Sequence, residues 1–171
     1  MAAPSPREGG GVIELHELTA DAWQTWRELR LAALEEAPYA FGSQLSDWVD
    51  AEEERWRARL DLPGSRNFVA VLDGTPVGMA SGVRTDENGV VELISMWIAP
   101  AGRGRGIGDQ LMAQVEHWAR DSAAHTLQLA VANGNDRARD LYLRSGFRDT
   151  DLPGDLMPDG IHHEIVMRKP L

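Results

Sequence analysis

The chain has 171 residues, 43% of them hydrophobic, which is enough to bury one core and too few for two ordinary domains. A formal net charge of −10 disfavours nucleic acid as a partner, because that binding depends on Lys and Arg neutralising phosphates. There is no cysteine, so disulfides, thiolate metal sites and a cysteine nucleophile are excluded, and any acyl transfer must proceed without a thioester on the protein.

No stretch approaches the roughly 20 apolar residues of a membrane span, and the first residues lack an apolar core followed by a cleavage site. A soluble, cytoplasmic protein with no membrane partner is expected. Residues 1–11, rich in Pro, Gly and Ala without periodicity, read as a disordered tail, and residues 12–171 as a single domain.

Val12 to His16 reads as a first strand. From Asp21, a capping residue with Gln24 three positions on, Ala22, Trp26, Leu29, Ala33 and Ala37 recur at helical spacing until Pro38. Ser46 to Leu60 reads as a second, strongly charged helix that stops before Pro63-Gly64, its Glu52-Glu53-Glu54 run a solvated face. Asn67 to Leu72 and Pro76 to Val83 form strands about an Asp73-Gly74 turn, and Asn88-Gly89 leads into Val90 to Ile98, giving an antiparallel meander. Beyond Pro100 a glycine-rich turn opens a helix from Gly106 to about Ser122, with Ile107, Leu111, Val115, Trp118 and Ser122 facing inward. Leu127 to Val131 is then a strand, Asn135 to Ser145 a helix ended by Gly146, Phe147 the start of another extended segment, and His163 to Arg168 the last strand. Strand, helix, strand in this half implies a right-handed crossover and a parallel pair.

The central signal is the turn Ile98-Ala99-Pro100-Ala101-Gly102-Arg103-Gly104-Arg105-Gly106-Ile107-Gly108. Alternate glycines between a strand and a helix let backbone approach an anion such as a pyrophosphate, while the first N–H groups and the helix dipole point at it. Arg103 and Arg105 can add charge-assisted bonds. A dinucleotide fingerprint starting at Gly104 would need glycine where Asp109 sits, and no Gly-Lys-Ser/Thr exists for a P-loop, so NAD and ATP are poor fits. A tight turn without a ligand is the structural alternative.

From Glu92 to Phe147 the chain resembles the GCN5-related N-acetyltransferase (GNAT) family. Arg103, Gly106 and Gly108 fit that family's Arg/Gln-x-x-Gly-x-Gly/Ala turn, and Asn135, Ala138, Leu141-Tyr142 and Gly146-Phe147 follow in matching order and spacing. The resemblance implies an α/β fold with a mixed, mostly antiparallel sheet whose splayed central parallel strands are flanked by helices. It implies acetyl-CoA as co-substrate, no metal, and cofactor binding by Met96, Trp97 and Ile98 through the backbone, by Arg103, Gly104, Arg105, Gly106, Ile107, Gly108 and Asp109 at the turn, and by Asn135, Ala138 and Tyr142. The backbone groups would bond the pantetheine arm like an added strand.

Transfer to an amine requires a neutral nucleophile, and an alkylamine has a pKa near 10.4, so a base or a desolvating pocket must help. By the same resemblance Glu92 would be the catalytic base and Tyr142 the catalytic donor to the departing thiolate. A solvent-facing strand glutamate and a core tyrosine are the alternatives. Asn135 is also a plausible N-cap. The five histidines show no metal spacing with carboxylates. Trp48 and Tyr39 are candidates to wall an acceptor pocket set by the first helix, the Pro38 to Ser46 loop and the Asp151 to His163 segment. The expected activity is acetyl transfer from acetyl-CoA to a small-molecule or peptide amine by direct attack in a ternary complex, with a homodimer admitted. A non-catalytic acyl-CoA sensor or interaction domain, an acetyltransferase of a protein amino terminus, and one acting on charged tRNA stay open, the last disfavoured by charge.

Overall fold

A computed structural model of the chain describes residues 11–171. The tail expected over residues 1–11 lies, except for Gly11, outside the described residues. Seven strands, β1 (Ile13–Leu18), β2 (Ser65–Leu72), β3 (Thr75–Arg84), β4 (Val90–Ile98), β5 (Thr126–Val131), β6 (Arg148–Asp149) and β7 (Ile165–Pro170), form one sheet in the order β1-β2-β3-β4-β5-β7-β6. Neighbours run antiparallel except β4 and β5, the parallel pair joined through a helical crossover.

The helices are α1 (Trp23–Glu36), α2 (Leu45–Trp48), α3 (Glu53–Leu60), α4 (Ile107–Asp121) and α5 (Asp136–Arg144). Their buried faces make two cores, one on each side of the sheet. Leu111, Met112 and Val115 of α4 pack with Phe68, Ala70 and Val91 on one side, and Trp26, Leu29, Trp56 and Leu60 pack with Val69 and Met79 on the other. Alternation along β2 sends Phe68 and Ala70 one way and Val69 the other, as a pleated strand buried on both faces must.

Four expectations shift. Asp21 does not cap α1: a 3-10 turn over Ala20–Ala22 precedes the helix, and the Asp21 carboxylate instead meets Arg57 at 3.3 Å. The single helix expected over 46–60 is two, because Glu52 is extended at φ −72, ψ 161. In a continuous helix Trp48 and Trp56 would lie about 12 Å apart along the axis. The break brings their ring centroids to 4.8 Å, while the Trp56 indole N–H donates to the Ala51 carbonyl at 3.2 Å and Arg55 to that of Asp47. At the end of α4, Ala119 takes the buried place expected of Ser122, which closes the helix instead. The last strand starts at Ile165, since His163 bridges Leu156 and its ring Nδ1 lies 2.9 Å from the Gly154 carbonyl.

Strand β4 contains a bulge that its sequence does not announce. Met79 pairs with Trp97 but Ser81 with Ile94, so Ser95 and Met96 together oppose Ala80, and Ser95 takes φ +55. The extra residue reverses the alternation. Val91 and Leu93 face α4 before it, Met96 and Ile98 face α4 after it, and Trp97 turns to the α1 side.

Candidate active site

Strands β4 and β5 pair only from Val90–Glu92 against Thr126–Gln128, although β4 continues beside β3 to Ile98 and β5 beside β7 to Val131. Beyond Glu92 the strands therefore part, and the β4 groups on that side have no strand partner among the described residues. A groove of about 1060 Å³ runs through the gap, lined by Met96, Trp97 and Ile98 on β4 and by Asn135, Ala138 and Tyr142 from α5 and its approach.

The glycine turn closes one end. Gly102 is buried against Val77, whereas Gly104 and Gly106 take φ +75 and +76, and a Cβ on either would meet nothing within 4 Å. Left-handed backbone with an open face is what glycine permits cheaply. Gly106 caps α4, whose first helical backbone bond is Gln110 N–H to the Gly106 carbonyl at 3.1 Å. The N–H groups of Ile107, Gly108 and Asp109, all groove residues, consequently lack a helical acceptor, the arrangement that receives anions.

The two turn arginines differ. Arg103 lines the groove, but its Nε donates to the Ile98 carbonyl at 3.1 Å and its Nη2 to the Glu36 carboxylate at 2.9 and 3.0 Å. Glu36 also accepts the Trp97 indole N–H at 3.0 Å, and that bond, with Arg103, holds its carboxyl below the ordinary value. Arg105 is exposed and does not line the groove. Arg137 and Arg144 of α5 do, and sequence reasoning missed them. The available signal was spacing: 137, 141 and 144 share one helical face with the groove residue Leu141. Asn135 caps α5, its Oδ1 accepting from Ala138 N–H at 3.4 Å.

A second cavity of about 300 Å³ lies beside the groove, walled by Trp26 and Arg30 of α1, Phe41, Trp48, Arg59 of α3, Glu92 and Glu164. Of the expected acceptor walls, Trp48 is here, the Pro38 to Ser46 loop contributes Ala40–Ser43, and Tyr39 lines the groove instead. The 151–163 segment contributes no wall, but Glu164, the residue after it, does. Arg30, Arg59 and Glu164 were not foreseen, because nothing local distinguishes them from solvated charges.

The two cavities share Ala40, Phe41, Met96 and Tyr142. Tyr142 is buried, its ring edge-on to Phe147 at 5.9 Å, and burial pushes its hydroxyl pKa up to about 12. Glu92, half-buried, has a raised pKa, mainly from burial and secondarily from the nearby Asp155 carboxylate, with a hydrogen bond from Gln128 partly offsetting them. Glu164 is raised likewise, first by burial, then by Asp155 and Glu92. Among the described residues, no group of three or more His, Asp or Glu could hold a metal ion, and no helix is long and apolar enough to cross a membrane.

The family model for the acetyltransferase (GNAT) family matches residues 15–147. An IAA acetyltransferase from Azospirillum brasilense is 32% identical over 66% of this chain and 72% of its own length. A streptothricin acetyltransferase from Streptomyces lavendulae is 39% identical over 48% of this chain, but the match spans only 44% of that protein. The solved structure of the PaiA N-acetyltransferase of Thermoplasma acidophilum in complex with coenzyme A shares the fold, with a TM-score of 0.71 at 18% identity over 94% of this chain and 99% of that one.

Proposed function

The chain belongs to the acetyltransferase (GNAT) family, and from that premise we propose that its domain from residue 12 onward moves the acetyl group of acetyl-CoA onto the amine of a small molecule, by direct attack with both substrates bound. The observation that carries this reading is the meeting of the two cavities at Met96 and Tyr142. One cavity is long with an anion-binding end; the other is compact with carboxylates on its wall.

The groove residues fit acetyl-CoA. The unpartnered N–H groups at the start of α4, with Arg103, Gly104, Gly106, Gly108 and Asp109 around them, suit a pyrophosphate. Arg137 and Arg144 add positive charge to that end. The unpaired side of β4 through Met96, Trp97 and Ile98 suits the amide-bearing arm, which Asn135 and Ala138 would flank. When bound, acetyl-CoA supplies an activated acyl carbon and a thiolate leaving group.

Glu92 would accept a proton from the incoming ammonium, leaving the neutral amine to attack. Its raised pKa brings it nearer the working pH, where a general base is more effective. The new N–C bond forms as the C–S bond breaks, and the nitrogen's surplus proton leaves by way of Glu92 and solvent. Tyr142, protonated throughout the neutral range, donates a hydrogen bond toward the departing sulfur. Backbone donors of β4 beyond the bulge would stabilise charge on the acetyl oxygen.

A thiol-release assay with acetyl-CoA against amines, amino acids and peptide amino termini tests this. Release with at least one small amine is expected. Tight CoA binding without release for any acceptor would overturn it in favour of a non-catalytic acyl-CoA sensor.

A further inference from the structure

The smaller cavity carries two guanidinium groups that no carboxylate among the described residues neutralises. Arg30 Nη1 is buried without a hydrogen-bond partner among the described residues, and the group stacks over the Phe41 ring with its Cζ 4.8 Å from the centroid. Arg59 donates only to neutral oxygens, those of Asn67 at 3.0 Å, Ser81 at 3.1 Å and Ser95 at 3.3 Å. Elsewhere in this acidic protein Arg57, Arg103, Arg139 and Arg168 each pair with a carboxylate. Burial first and the neighbouring Arg59 second lower the Arg30 pKa to about 10, the mark of one cation held close to another away from water. An unpaired buried charge is destabilising and is rarely kept without a ligand to meet it.

The other wall has the opposite sign. Glu92 and Glu164 each raise their pKa through burial and the acids around them, and no ion pair joins them to Arg30 or Arg59. Positive and negative charge are thus kept apart across a space of about 300 Å³, the small end of ligand pockets. A molecule with both signs would satisfy each wall.

We infer that the acceptor is a small amino-carboxylic acid, its carboxylate held by Arg30 and Arg59 and its amine directed to Glu92 and Glu164. This rests on the reading of the chain as a transferase, since it is the amine at Glu92 that would be acetylated. Arg30 is the main carboxylate ligand, because its guanidinium makes no hydrogen bond to the described residues, whereas Arg59 is already engaged. A guanidinium offering two N–H groups selects a carboxylate over a neutral group of the same shape.

The test uses the full chain, the common L-amino acids and, for each, the amine left by removing its carboxylate, whose basicity is close to that of an alkylamine. Two readouts are taken: thiol release with acetyl-CoA, and quenching of tryptophan fluorescence in the CoA-saturated protein, since Trp26, Trp48 and Trp56 wall the cavity. At least one amino acid should exceed its decarboxylated partner by on the order of 10- to 100-fold in kcat/KM. Arg30→Gln should reduce that preference to near one by raising the acceptor KM, with Kd for CoA unchanged, and Arg30→Lys should restore part of it. The Arg30→Gln protein should melt no lower than the parent, whereas a purely structural arginine would lower the midpoint. Equal or better use of decarboxylated amines, or a preference that survives Arg30→Gln, overturns the inference while leaving the transferase intact. Quenching by amino acids with no thiol release supports the pocket and sinks the transfer; neither signal with any probe sinks both.

Discussion

Replacing Tyr142 by phenylalanine removes one hydroxyl and keeps the ring that packs edge-on against Phe147, so the fold should be unchanged. With its pKa near 12, full proton transfer from Tyr142 to a thiolate of pKa roughly 8.5 is uphill by about 3.5 units, or about 5 kcal/mol. Its contribution is therefore a hydrogen bond to a charged acceptor, about 1.5–3 kcal/mol, which converts to a loss of roughly 10- to 150-fold in kcat. Because the hydroxyl stays protonated between pH 6 and 9, the deficit should hold across that range or grow at its alkaline end, where solvent supplies fewer protons to the sulfur. The assay is kcat by thiol release over that range, once a viscosity or pre-steady-state control shows that chemistry limits turnover. A deficit below threefold, or one that vanishes as pH rises, would refute the assignment.

Glu92→Gln keeps the shape of the side chain but cannot accept a proton, so kcat should fall by roughly 10²- to 10⁴-fold at neutral pH, with the loss shrinking toward the amine's own pKa. Parity with the parent at every pH would make Glu92 a structural strand residue. Gly106→Val places a β-branched side chain at φ +76, on the open face of the turn. Calorimetric titration should show CoA affinity at least about tenfold weaker in a protein that still folds, at a strain cost of about 1–3 kcal/mol, and unchanged affinity would remove the turn from the site. Glu164 has a folded-state pKa above its ordinary value, so its charge destabilises the fold increasingly as pH rises from about 4.5 through that raised value. Glu164→Gln should raise the melting temperature at pH 8 and leave it nearly unchanged at pH 4; equal shifts at both would contradict the burial argument.

What the sequence disclosed was local. Asp73-Gly74, Asn88-Gly89 and the run from Gly102 to Gly108 each require backbone that few residues adopt, so they mark their turns unaided, and the order of strands and helices follows from them. Asn135 as a cap is legible for the same reason. The break at Glu52 was not, since helical propensity on both sides is high and the contacts that fold Trp56 against Trp48 lie outside any local pattern. The bulge at Ser95 was hidden because a serine at positive φ has no compositional signature. Arg30, Arg59 and Glu164 come from three distant stretches, and only tertiary packing reveals that the two arginines lack acids while the glutamate faces another acid. Arg103 matched its motif, yet its geometry includes Glu36, 67 positions away.

The fourteen residues of α1 behave as one beam resting on two supports. At one point it sets Arg30 on the wall of the smaller cavity, and six residues on, about 9 Å along the axis, Glu36 ties it to Trp97 and to Arg103 of the glycine turn. A tilt at either support is felt at the other, because a hydrogen-bonded helix does not stretch between them. Substitutions that tilt α1 as a body will therefore alter the apparent affinities for donor and acceptor together, whereas a side-chain change such as Arg30→Gln that leaves the helix in place will act on the acceptor alone.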